Sequence, residues 1–142
     1  MCSSNWEILW IGDFGDAVDF VTWLRMVGHG VFQMLPFYDT TFTYTSEDSY
    51  PYRAITTYGL NPLYLDVRAL PYYEQSPKRA LWEERAKELN AAPRIKYEEV
   101  LKLKTEVIDA CFGRWWQEEG YEEESFDDYW RAEHAQLLPY CL

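Results

Sequence analysis

The chain has 142 residues, a net charge of −11, 48% apolar residues and 18% aromatic residues. That is enough length and apolar content for one domain with a buried core, and too much for a disordered chain. The acidic balance argues against nucleic acid and anionic membrane surfaces as partners, and no apolar run approaches the roughly 18 residues that a membrane span needs.

The opening MCSSNWEILW has neither a basic region nor a small-residue cleavage site, so it does not read as a secretory signal. Within it begins EILWI, which reads as a strand or a strand end. Cys2, Cys111 and Cys141 form no metal-ligand spacing and no even disulfide set, which favours a reducing, cytoplasmic location. From Asp16 the apolar residues Val18, Phe20, Val21, Leu24 and Val27 fall at helical spacing, predicting a helix with one buried face. The Gly28–His29–Gly30 triplet ends it, because glycine readily takes the left-handed conformation. Val31–Phe37, VFQMLPF, is apolar on both faces apart from Gln33, the pattern of a parallel strand covered by helices on both sides. Helix, glycine turn and buried strand together predict part of an α/β sheet or barrel.

A long segment follows, Tyr38–Pro62, rich in Thr, Ser and Tyr and without periodicity. Loops of this length in compact domains usually carry function. Leu63–Leu70 alternates and reads as a further strand. Next, Ser76 is placed as an N-cap with Pro77 at the first helical position. A second helical stretch puts Tyr97, Val100, Leu101, Lys104, Val107, Ile108, Cys111 and Phe112 on one stripe. After the acidic connection Glu118–Asp128, Ser125 reads as the cap of a third helix, whose broken stripe holds Phe126, Tyr129, Trp130, Leu137 and Leu138.

Other features are less specific. The acid could mimic nucleic acid towards a basic partner, but its concentration in Glu118–Asp128 favours a solvated connection. The aromatic excess suits stacking on sugar rings, although most of these residues are expected in cores. Trp115 and Trp116 read as helix packing before a glycan platform. The Gly12–Asp16 turn resembles a phosphate loop only superficially, since its acids would repel phosphate. His29 reads as a helix cap, and His134 has no companion metal ligands.

Four stretches in order resemble glycoside hydrolase family 77, the 4-α-glucanotransferases known as amylomaltases or disproportionating enzymes. IGDFGDAVDFVTWL (Ile11–Leu24) is similar to the segment leading into the first barrel helix, and GHGVFQMLPFYDTT (Gly28–Thr41) to the second barrel strand. DSYPYRAITTYGLNPLYLDVRAL (Asp48–Leu70) and IKYEEVLKLK (Ile95–Lys104) resemble the family's Ser-Pro-Tyr segment and a later helix. The additional tyrosine of DSYPY, the Asp39–Thr41 triplet and AEHAQLLPY (Ala132–Tyr140) resemble the plant-type cytosolic branch.

The resemblance implies an α/β fold: part of a (β/α)8 barrel over residues 1–62, supplying the first helix, the second strand and a substrate loop, with a mostly helical insertion over 63–142. It implies a cytoplasmic enzyme without a cofactor, transferring α-1,4-glucan segments between maltodextrin, starch or glycogen chains with retention of configuration. Such chemistry needs two carboxyl groups about 5–5.5 Å apart. The family's carboxylates belong to later strands, so no catalytic residue is assigned and the chain is expected to be a partial one, inactive alone. Tyr52 matches the family's glucan-contacting tyrosine. Asp48, Ser49 and Asn61 lie in the same segment, and for them sugar contact and loop hydrogen bonding both remain open. The alternative function is a noncatalytic carbohydrate- or protein-binding acidic module.

Overall fold

A computed structural model describes residues 12–118 and 124–141. The opening residues with EILWI, most of the acidic connection, Cys2 and the side chains of Phe126, Leu137 and Cys141 lie outside that description.

Helix α1 spans Phe14–Met26. Asp13 starts it with a capping box: its carboxylate accepts from the Gly15 and Asp16 amides, and the Asp16 carboxylate accepts from the Asp13 amide. Gly28, at φ +89°, lies just beyond its end. Three short 3₁₀ turns follow, Ser46–Ser49, Pro62–Tyr64 and Val67–Ala69. Then come α2 (Arg79–Asn90), α3 (Tyr97–Glu118) and α4 (Glu124–Cys141).

The core is built on α3. Its stripe buries Val100, Leu101, Leu103, Lys104, Val107 and Cys111, and packs them against Leu63, Val67, Tyr73, Trp82 and Ala86. Each fully buried large side chain contributes about 1.5–3 kcal/mol. The short connection over residues 91–96 folds α3 back along α2. Trp82 stacks on Tyr73 at 5.8 Å and donates from Nε1 to Glu106, which also receives Arg85 at 2.8 Å. Phe112, expected in the stripe, is instead exposed and lies beside Trp115 and Trp116 at 5.8 and 6.0 Å. It sits at the edge of the stripe, where its neighbours are the two other rings.

The expected strand at 31–37 does not form a strand ladder. Among the described residues there is one isolated antiparallel bridge, Tyr38 with Leu60, and no strand ladder. Val31 is 88% exposed and Leu35 60%. The expected buried face of α1 is likewise open, with Val18 at 66%. A buried strand needs neighbours along its whole backbone and on both faces, and here only the Phe37 carbonyl is paired across the loop, by the Asn61 amide, while α1 lies along residues 34–37. Phe20 compensates locally by meeting Phe32 edge-on at 5.3 Å.

Leu63–Leu70 forms two 3₁₀ turns rather than a strand, because Asn61 and Asp66 accept from the Leu63 and Arg68 amides and close each turn locally. Ser76 sits ahead of α2 instead of capping it. Its hydroxyl accepts from the Lys78 amide and its carbonyl from that of Arg79, so the chain completes a turn before the helix begins. Ser125 lies inside α4, which already starts at Glu124.

Candidate functional site

The Tyr38–Asn61 loop buries some of its polar side chains and exposes most of its aromatic ones. Its polar residues Asp39, Thr40, Asp48 and Asn61 are buried, while Phe42, Tyr44, Tyr50, Tyr52 and Tyr58 are exposed. With so little apolar interior, hydrogen bonds hold its shape.

The Asp48 carboxylate is one anchor. It accepts from the Thr43 amide at 2.9 Å, the Thr43 hydroxyl at 2.9 Å and the Tyr44 amide at 2.6 Å. Burial alone would raise this carboxyl, but the donors from Thr43 and Tyr44 outweigh it and hold it below its ordinary value. The turn it closes carries Tyr44 at φ +57°, a left-handed conformation uncommon for a side chain of that size.

Asn61 is the second anchor. Its amide donates to the Phe37 carbonyl, its Oδ1 accepts from the Leu63 amide at 2.9 Å, and its Nδ2 donates to the Thr40 hydroxyl at 3.0 Å. Thr40 passes its own proton to the Asp48 carbonyl at 2.5 Å. Thr40 therefore joins two of the residues singled out from sequence, Asp48 and Asn61, and fixes both in internal contacts. Ser49 is exposed, with its hydroxyl donated to the Ser46 carbonyl at 2.7 Å. Tyr52 stands 62% exposed, its ring 5.5 Å from that of Tyr50. Of the four expected site residues, Tyr52 and Ser49 face solvent, while Asp48 and Asn61 build the support.

The loop is tied to the helices at its far end. Lys104, wholly buried on α3, donates to the Leu63 and Leu65 carbonyls at 2.6 and 2.8 Å, and its ammonium lies 3.7 Å from Asp13 Oδ2. Burial pushes the Lys104 ammonium down and the Asp13 carboxyl up; their mutual attraction only partly opposes this. Beside Asp13, a groove of about 300 Å³ runs between α1 and residues 34–37, lined largely by Phe14, Ala17, Phe20, Met34, Leu35 and Phe37. Nothing in the sequence distinguishes Thr40 or Asp13 from the other polar residues beside them. Lys104 carried a visible signal, since a cation in an apolar stripe must find buried acceptors.

Among the described residues no group of three or more His, Cys, Asp or Glu side chains is placed to hold a metal ion, and no helix is long and apolar enough to cross a membrane. His29 and His134 are both exposed. The His29 amide closes the end of α1 on the Leu24 carbonyl, and the His134 ring contacts the Arg131 carbonyl at 3.1 Å.

The family model described as 4-alpha-glucanotransferase, glycoside hydrolase family 77, matches residues 4–142. The chain belongs to that family. It is 32% identical over 133 residues to the 4-alpha-glucanotransferase of Chlamydia muridarum, covering 93% of this chain and 24% of that protein. It is 28% identical over 130 residues to the 4-alpha-glucanotransferase of Chlamydia pneumoniae, covering 92% and 24%. A 64-residue stretch is 41% identical to 4-alpha-glucanotransferase DPE2 of Oryza sativa subsp. japonica, covering 45% of this chain and 7% of that protein. The chain thus spans about a quarter of the length of these Chlamydia relatives. No solved structure matches it.

Proposed function

We propose that this chain forms the glucan-contacting loop and helical subdomain of a cytoplasmic 4-alpha-glucanotransferase, which moves α-1,4-glucan segments between maltodextrin, starch or glycogen chains by a retaining mechanism. The family match supports the reaction class. The observation that carries the site is the outward tyrosine pair Tyr50 and Tyr52 on a loop held from within by the buried Asp39, Thr40, Asp48 and Asn61. A phenol ring lies well on the C–H face of a pyranose and its hydroxyl can donate to or accept from a sugar hydroxyl.

In the (β/α)8 barrel that the family suggests, residues 1–62 belong to the barrel and residues 63–142 to the helical insertion. The open faces of α1 and of residues 31–35 fit that placement, since barrel neighbours would cover both. Tyr52 binds donor glucan beside the cleaved bond, with Ser49 within the same rim. Asp48 and Asn61 act from behind it. The two carboxyl groups of the retaining reaction, nucleophile and acid/base, are not assigned to any residue of this chain.

The test is twofold. The purified 142-residue chain is expected not to convert maltotriose into glucose and longer maltodextrins; robust turnover would contradict the account of the carboxyl groups. In an active transferase carrying this segment, Tyr52→Ala is expected to lower transfer between glucans with the fold intact. An unchanged rate would remove Tyr52 from the site. Saturable glucan or protein binding in a protein with no transfer would favour the noncatalytic module instead.

A further inference from the structure

A continuous run of buried contacts links α3 to the tyrosine loop. Lys104 donates to the Leu63 carbonyl, and the Leu63 amide donates to Asn61 Oδ1. Asn61 Nδ2 donates to the Thr40 hydroxyl, and that hydroxyl donates to the Asp48 carbonyl. Asp48 gathers the Thr43 and Tyr44 amides, and four residues on stands Tyr52. The Lys104 and Asn61 links span 41 and 21 residues of sequence, while the Leu63–Asn61 and Thr40–Asp48 links close the run within the loop.

We infer that Thr40 is a positioning residue that sets the Tyr50–Tyr52 pair for glucan, by joining the helical subdomain to the turn at Asp48 through one buried hydroxyl. This rests on the reading of the loop as a glucan site. A hydroxyl is suited to the junction because it donates one proton while accepting another. Thr40 is 3% exposed and uses both capacities, towards the Asp48 carbonyl and from Asn61. At that burial, loss of the hydroxyl strands an amide proton and a carbonyl together. The relay also gives α3 a direct hold on the loop: a displacement of Lys104 is transmitted through two backbone groups and two side chains to Asp48, which precedes Tyr50 and Tyr52 in the same loop.

The test compares Thr40→Val, of nearly the same shape, with Thr40→Ser, which restores the hydroxyl. Amide hydrogen exchange of the whole chain is followed at Thr43 and Tyr44, with Val107 in the α3 core as reference. Thr40→Val is expected to speed exchange at Thr43 and Tyr44 roughly tenfold, the worth of one buried hydrogen bond, with Val107 unchanged. Maltoheptaose affinity is expected to fall in step, and Thr40→Ser to recover both. Unchanged exchange at Thr43 and Tyr44 in Thr40→Val would overturn the relay. Faster exchange with unaltered maltoheptaose affinity would overturn the positioning role. Absence of maltoheptaose binding in the unsubstituted chain would instead overturn the glucan reading, and the exchange comparison would still decide the relay.

Discussion

Lys104 Nζ lies 3.7 Å from Asp13 Oδ2, with both side chains shut off from solvent. The ammonium satisfies itself on the Leu63 and Leu65 carbonyls, whereas Asp13 Oδ2 accepts no hydrogen bond. Removing the cation by Lys104→Met should therefore do more harm than neutralising the anion by Asp13→Asn. The first leaves a buried carboxylate and two carbonyls unmatched, at about 3–5 kcal/mol. The second keeps an N-capping side chain for α1 and leaves the lysine its two carbonyls. Denaturant midpoints of the two variants are expected in that order, and a reversed order would contradict the assignment.

The pH dependence of this pair follows from the directions of its shifts. A raised Asp13 pKa means that the folded chain holds this proton more readily than the unfolded one, so its contribution to stability fades as pH rises through the folded value. A lowered Lys104 pKa means that stability grows as pH climbs from the folded value towards 10.5. Lys104→Met should remove the alkaline part of that dependence, measured as midpoint against pH.

Asp48 behaves in the opposite sense to Asp13. Its pKa is depressed below 3.8, so its contribution to loop order is complete above that value and is lost as pH falls through the depressed one. Asp48→Asn should mimic the acid form at neutral pH. Because a neutral amide cannot serve all three donors as well, the turn should loosen by about 1–3 kcal/mol. Amide exchange at Tyr44 reads this directly. Tyr44→Gly should partly restore protection by relieving the left-handed backbone.

Gly15 makes a prediction decided by magnitudes. A Cβ there would lie 2.5 Å from Asp66 Oδ2, and Asp66 is held in place through its bonds to the Arg68 amide and Nε. Replacing glycine by alanine in a helix gains up to about 1 kcal/mol, but overpacking costs about 1–3 kcal/mol. Gly15→Ala should therefore destabilise. In an Asp66→Ala background the same change should become neutral or favourable, and thermal unfolding of the double variant checks it.

How far the sequence could be read depended on where each residue's partners lie. Helix α3 was legible because its stripe repeats every turn and its partners, Trp82 and Leu63 among them, are present. Helix α1 was legible in extent but not in burial. Residues 31–37 are apolar on both faces in the sequence, yet the described residues offer no strand beside them. Ser76 misled because a serine before a proline serves a turn as well as a cap. Thr40 was invisible, since a threonine in a Thr-rich loop looks the same whether its hydroxyl meets water or the Asp48 carbonyl. Tyr52 is singled out by family resemblance alone, and no periodicity selects it from the chain's 12 tyrosines.

The most direct test is titration of the chain with maltoheptaose, observed at the Tyr52 side chain by NMR and repeated with Tyr52→Ala. Saturable perturbation centred on Tyr50 and Tyr52, with affinity lost in the variant and helical content unchanged, is the expected result. Saturable binding that leaves Tyr52 unperturbed and survives its replacement would contradict the loop as the glucan site.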